Sequence, residues 1–138
     1  MIYLPDTNAF SAYLAGRSPA LTARMQAAFL AGQLRLSVMV LSELAFGAEK
    51  ARRTMGETRF AKRIETLRQQ LEVEALDADF PQHYSRLRAD LEGAGQKIGD
   101  RDTIIAAHSL ALGATMVTAN VNEFSRVSGL SVENWQTD

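Results

Sequence analysis

Residues 98–120 run IGDRDTIIAAHSLALGATMVTAN, and the rest of the chain is read outward from them. Asp102–Leu112 is rich in Ile, Ala and Leu and ends at Gly113, which predicts a helix and its stop. Thr115–Thr118 then predicts a strand, and polar residues follow it at Ala119-Asn120. A helix feeding a strand whose far end turns polar is the repeating unit of an α/β fold.

The same alternation holds on both sides. Ile2–Leu4 is a short apolar run stopped by Pro5, a buried strand, and Asn8–Ala15 follows with Phe10, Tyr13 and Leu14 at helical spacing. Ser18 and Pro19 open a second helix whose stripe is Leu21, Met25, Ala28 and Phe29. Leu34–Leu41 is apolar and β-branched enough for a second strand, with Ser42–Ala51 helical after it. In Thr58–Gln70, Phe60, Ile64, Leu67 and Leu71 recur at intervals of four, three and four, a clean amphipathic helix. Leu71–Leu76 predicts a short strand, and Asp79 with Pro81 starts a helix whose inner face is Tyr84, Leu87 and Leu91. Leu130–Glu133 is the last strand, ahead of a polar tail. Strands alternating with helices imply right-handed crossovers and a central parallel sheet of about four to five strands flanked by helices. Residues 1–138 are expected to form one α/β domain.

Composition narrows the chemistry. The 138 residues are 46% hydrophobic and 22% charged, an ordinary globular balance. Fifteen Lys+Arg against sixteen Asp+Glu exclude a protein held on nucleic acid by bulk charge, though not one with a local basic face. With no cysteine there is no disulfide, thiol nucleophile or zinc finger, so any metal must be held by oxygen or by one of two histidines. The N-terminus has no basic region and meets Asp6 early, and no stretch approaches the ~20 apolar residues of a membrane span. A soluble cytoplasmic protein is expected.

In an open parallel sheet, ligands bind outside the carboxyl ends of the strands. Asp6-Thr7-Asn8 follows the first strand and Ser42-Glu43 the second. Asp100-Arg101-Asp102 opens the helix before the fourth strand, and Thr118-Ala119-Asn120 with Glu123 follows that strand. Parallel topology would bring these four segments to one end of the sheet. Carboxylates within ~4 Å repel by about 4 kcal/mol per pair at an effective dielectric near 20, so such a cluster takes up protons or binds a cation. Without His or Cys beside them they select hard ions, Mg²⁺ or Mn²⁺, which suit phosphodiester hydrolysis. Each acid also has a plainer role: Asp6 as a helix cap, Glu43 as a first-turn acid, Asp102 as a helix start with Asp100 as the cap, and Asn120 and Glu123 in a turn and short helix. His108 reads as a core histidine, too far along its helix to share a site with Asp102, and His83 as a surface residue.

Taken in order, these segments resemble one family. Asp6-Thr7-Asn8, Ser42-Glu43-Leu44, the run Ile98–His108, and Val117-Thr118-Ala119-Asn120 leading to Glu123-Phe124, Gly129-Leu130 and Glu133-Asn134-Trp135 closely resemble the PIN-domain ribonucleases, specifically the VapC toxins of type II toxin–antitoxin pairs. The resemblance implies a PIN-like fold and a Mg²⁺- or Mn²⁺-dependent endoribonuclease that hydrolyses RNA through a metal-activated water, leaving a 5′-phosphate and a 3′-hydroxyl. Asp6 and Asp102 match the family's principal metal-binding aspartates, and Glu43 its third site acid, often acting through water. Thr7, Asn8 and Thr118 match residues that shape the site. Asn120 stands where some members carry Asp; it would supply a neutral oxygen or position water, with Glu123 or Asp100 replacing the charge. Pro5 departs from the aliphatic residue usual there and removes a backbone donor without preventing metal binding.

The resemblance further implies a homodimer and a VapB-type antitoxin that blocks the site, with operator DNA reached only through that antitoxin. Seven of the fifteen basic residues lie between positions 50 and 68, among them Arg52, Arg53, Arg59, Lys62 and Arg63. This stretch is either a solvated helix face or a phosphate-contacting edge for RNA. The alternative to an enzyme is a catalytically weak PIN-like module that binds RNA or antitoxin. A receiver-like domain is disfavoured, because no receiver-type Lys follows a late strand.

Overall fold

Every strand pairing in the computed structural model, which describes residues 1–136, is parallel. In chain order the elements are β1 (Tyr3–Pro5), α1 (Thr7–Ala15), α2 (Pro19–Leu30), β2 (Arg35–Ser37), α3 (Val38–Met55), α4 (Arg59–Gln70), β3 (Glu72–Glu74), α5 (Phe80–Gly93), α6 (Asp100–Leu112), β4 (Thr115–Val117), α7 (Val121–Phe124) and β5 (Ser131–Glu133). One sheet has the order β1-β4-β5, and β2 pairs with β3 in a second. A parallel bridge between Tyr3 and Leu34, with the Tyr3 N–H donating to Gln33 O at 2.7 Å, joins them at the β1–β2 seam. The five strands therefore stand in the order 3-2-1-4-5, the parallel α/β architecture the alternating pattern predicts. The last two residues of the expected polar tail lie outside the described residues.

All three residues of β4 are buried, as are Leu4 and Pro5 of β1, because helices cover the centre of a parallel sheet on both faces. Phe10, Leu21, Met25, Leu36, Val40 and Leu44 complete the core around them. Gly113 ends α6 at φ 63°, a left-handed turn that a side chain would strain, and delivers the chain straight into β4. At the β5 edge, Trp135 donates from Nε1 to Glu133 Oε1 at 2.8 Å and meets the Tyr3 ring edge-on at 4.9 Å. Arg24 sits 4.8 Å from the centre of that indole ring and pairs with Glu133 at 3.0 Å. This cluster ties α2 to the segment after β5.

One element departs from the sequence pattern. The strand expected over Leu34–Leu41 stops at Ser37, and Val38–Leu41 is already helical. The Ser37 hydroxyl accepts the Met39 N–H at 3.2 Å and caps α3, so a cap inside the apolar run outweighs the β preference of Val38 and Val40. Glu43 consequently stands in the second turn of a helix, not directly behind a strand. Asp100 does not act as the cap of α6, either. Gly99 occupies that position, with no side-chain bond closing the turn.

His108 lies in the core as the sequence suggests. Its Nδ1 is 2.9 Å from Ser37 Oγ and its Nε2 is 3.1 Å from Ala75 O. Ser37 accepts from Met39, so its own proton goes to Nδ1, and Nε2 carries the ring proton that Ala75 O accepts. One imidazole thus links α6 to the α3 cap and to the segment after β3. His83, on α5, is half-buried rather than fully on the surface.

Candidate active site

Asp6 directly follows β1 and serves two purposes. Its N–H donates to Val117 O at 2.9 Å, fixing it at the β4 edge, while Oδ1 accepts the Ala9 N–H at 2.8 Å and caps α1. Its carboxyl is buried, and burial pushes its pKa above the ordinary carboxylate value; hydrogen bonds from Thr118 and Ala9 act against this, and the nearby Glu43 charge adds to it. The plain capping role is real, and it leaves the Asp6 carboxyl beside Glu43 at the same end of the sheet.

Three further acids reach the same end of the sheet. Glu43 Oε1 accepts from Thr7 Oγ1 at 2.8 Å, and Arg101 approaches Oε2 at 3.6 Å. Asp102, in the first turn of α6, is pushed up to about 6 by burial first, then by its hydrogen bond with Glu123 and the charges of Glu123, Asp6 and Glu43. Glu123, on α7, accepts from the Gly99 N–H at 3.4 Å and from Asn120 Nδ2. Thr118 accepts the Asn120 N–H at 3.0 Å while bonding Asp6, so one hydroxyl orders two neighbouring segments. An open cleft of about 410 Å³ is lined by Glu43, Gly99, Asp100, Arg101 and Asp102.

The four segments singled out in the sequence thus converge, and Thr7 and Thr118 join them. Asn8 does not: it is exposed and makes no hydrogen bond to the cluster among the described residues. Asp100 lines the cleft but is exposed at the helix start. Arg101 is the participant that sequence reading passed over, although its place between Asp100 and Asp102 is a visible signal of a cation set among acids.

The basic stretch is largely self-neutralised. Arg52 and Arg53 pair with Glu49, Arg59 with Glu57 and Arg68 with Glu65, while Arg63 donates to Leu14 O. Lys62 makes no ion pair among the described residues. Most of these cations lie on the exposed helix face that the plainer reading expects.

The donor set fits a hard cation in kind: the carboxylates that could bind are oxygen donors, and burial first, then the neighbouring negative charges, raise the pKa of Asp102. A Cβ at Gly99 would stand 3.4 Å from Asp102 Oδ2, so glycine leaves one side of that carboxylate open. Among the described residues no three His, Asp or Glu side chains already surround one point. Glu43 is turned to Thr7 and Arg101, and Glu123 to Asn120 and Gly99.

Comparison with known proteins agrees with the geometry. The PIN domain family model matches residues 3–130. Ribonuclease VapC2 of Rickettsia felis is 32% identical over 136 residues, covering 98% of each chain. A tRNA(fMet)-specific endonuclease VapC of Shigella flexneri is 38% identical over 104 residues, 75% of this chain and 76% of that one. The crystal structure of VapBC2 from Rickettsia felis, bound to a DNA fragment from its promoter, superposes with a TM-score of 0.89 at 30% identity, covering 98% of this chain and 99% of that one. The chain belongs to the PIN-domain family, among its VapC ribonucleases. Among the described residues no helix is long and apolar enough to cross a membrane.

Because the folded value of Asp102 lies above its ordinary 3.8, its contribution to stability is full below that value and is lost as pH rises through about 6. Solvent at this half-exposed carboxyl keeps the effect near 1 kcal/mol, about 2–4 °C in Tm. Metal-free wild type is therefore expected to lose ground to Asp102→Asn as pH rises from about 4 to about 6. Taking the difference between the two proteins cancels titration at groups remote from Asp102, and a constant difference across that range would overturn the assignment.

Proposed function

We propose that this chain, as a single PIN-like domain over residues 1–138, is a Mg²⁺- or Mn²⁺-dependent endoribonuclease and the toxin of a type II toxin–antitoxin pair. The observation that carries the reading is the convergence of Asp6, Glu43, Asp102 and Glu123 from four separate segments at the carboxyl end of a parallel sheet. Asp6 and Asp102 would hold the ion, with Glu43 and Glu123 joining directly or through water. When bound, the ion stabilises charge on the phosphoryl oxygens and lowers the pKa of a water. Glu43, held by Thr7 at Oε1, would accept the proton of the attacking water at Oε2, the oxygen that Arg101 faces at 3.6 Å. Arg101 sits beside it with its guanidinium exposed to an incoming phosphate. Thr118 keeps Asp6 in place, and Asn120 restrains Glu123.

The partners follow the family. A VapB-type antitoxin would neutralise the chain by setting a basic side chain among Asp6, Glu43 and Asp102, and operator DNA would be reached only through it. Exposed Phe46 and Met55 on α3 offer apolar surface for a homodimer or for that antitoxin. The place of action is the cytoplasm, where RNA and antitoxin are found together.

The deciding experiment is cleavage of total cellular RNA by purified protein with Mg²⁺ or Mn²⁺, with EDTA, and with added antitoxin. Discrete products that vanish with chelation are expected. One observation favours a second reading, a catalytically weak RNA- or antitoxin-binding module: no three acids already surround one point among the described residues, and Asn120 stands where an acid could. RNA binding without metal-dependent cleavage by well-folded, antitoxin-free protein would select it.

A further inference from the structure

Among the described residues, eight of the twelve arginines pair with a carboxylate. Of the other four, Arg86 and Arg126 line the same cavity, about 450 Å³, between α5, α6 and the segment after α7. Arg86 makes no hydrogen bond or ion pair among the described residues. Among the described residues the Arg126 side chain makes one hydrogen bond, a guanidinium Nη1 donating to Lys97 O at 3.4 Å, which holds its head against the stretch of chain leading to Gly99 and Asp102 and leaves its other donors open. Asp90, one turn beyond Arg86 on α5, also faces the cavity, and His83, Gln96 and Ser128 complete its polar edge over a floor of Leu87 and Leu91.

We propose that this cavity is a nucleotide subsite for the RNA strand, separate from the acidic cleft. It rests on the ribonuclease reading above. Two guanidiniums without carboxylate partners supply fork-shaped donors for a phosphate. The Asp90 carboxylate supplies the acceptor that a ribose 2′-hydroxyl or a base amino group requires, which a site for a bare phosphate would not need. The volume is within the range of small-ligand pockets, roughly 300–1,000 Å³. Position agrees with chemistry. Leu110, on the cavity wall, is eight residues along α6 from Asp102, about 12 Å of helix. At the ~3.4 Å per nucleotide of a helical strand, that is about three to four nucleotides from the acidic cleft. The segment 97–99 forms the shared wall, through Arg126 on one side and Glu123 on the other.

The test uses the full chain carrying Asp6→Asn, so that binding is read without cleavage. Affinity is measured over a range of salt for mixed-sequence single-stranded RNAs of about 12 and about 2 nucleotides, the shorter too short to span the two sites. Adding Arg86→Gln and Arg126→Gln is expected to weaken the longer RNA about tenfold and to leave the shorter one unchanged. The salt slope for the longer RNA should fall by about 0.7 for each phosphate that the two arginines neutralise. Arg86→Lys should restore part of the affinity. Equal weakening for both lengths, or an unchanged salt slope, overturns the subsite. If the longer RNA binds as before while wild type still cleaves with metal, the subsite fails and the nuclease stands. If wild type neither binds nor cleaves RNA, both fail. An affinity change confined to an acidic protein partner assigns the cavity to that partner instead.

Discussion

Asp6→Asn is expected to abolish metal-dependent RNA cleavage, by at least about 10²–10³-fold, the scale on which one charged or polar group acts on a developing oxyanion. The same substitution should leave the fold intact. Asn caps a helix about as well as Asp, so the 2.8 Å bond from the Ala9 N–H survives. It also removes a buried charge that faces Glu43, so metal-free Asp6→Asn should melt at or slightly above the wild-type temperature. Asp6→Ala should be equally inactive but lose about 1 kcal/mol with the cap. Cleavage assays and thermal melts on both variants separate catalysis from architecture. Wild-type cleavage by Asp6→Asn would remove Asp6 from the site altogether.

The second large effect is on stability. His108→Ala is expected to cost about 3 kcal/mol, because it leaves a cavity and strips partners from Ser37 Oγ and Ala75 O. That is about 6–12 °C in Tm for a chain of this size. Burial, the first cause, holds the imidazole pKa below 6.5, against smaller upward pulls from Ala75 O, Glu74 and Asp77. The folded protein therefore keeps His108 neutral: its contribution is full above the unfolded value and is lost as pH falls through the lower folded one. Wild type should weaken in acid more steeply than His108→Ala, the reverse of the trend expected from Asp102. Melting within about 1 °C of wild type would show that this core link carries little weight.

The fold class and the convergence of the acidic segments were legible in the sequence because both depend on spacing. Glycine stops and helical stripes mark the helices, and polar residues placed behind apolar runs mark the strand ends. What it hid depends on competition between local preferences. At 34–41 the β-branched residues argue for strand, yet Ser37 caps a helix in their midst, and the contact with His108 that orients this cap spans 71 residues. The arginines of 50–68 fit a solvated face and a basic edge equally in sequence because charge counts ignore pairing, whereas Glu49, Glu57 and Glu65 lie within reach of their own neighbours. Arg86 and Arg126 went unnoticed for the opposite reason: 40 residues part them in sequence, and only the packing of α5 against α6 and the segment after α7 brings them to one cavity.

The pairing of Tyr3 with Thr115 has a consequence for how the molecule comes into being. The first strand leaves the ribosome long before the strand it must lie against, a wait of roughly 5–20 s at ordinary rates of translation. Asp6 has no Val117 carbonyl to anchor it until then, and Glu123 is synthesised later still. A nascent chain therefore holds its acids apart while it is threaded through the very machinery that gathers RNA. The acidic cluster is assembled only after the chain has been made past Glu123.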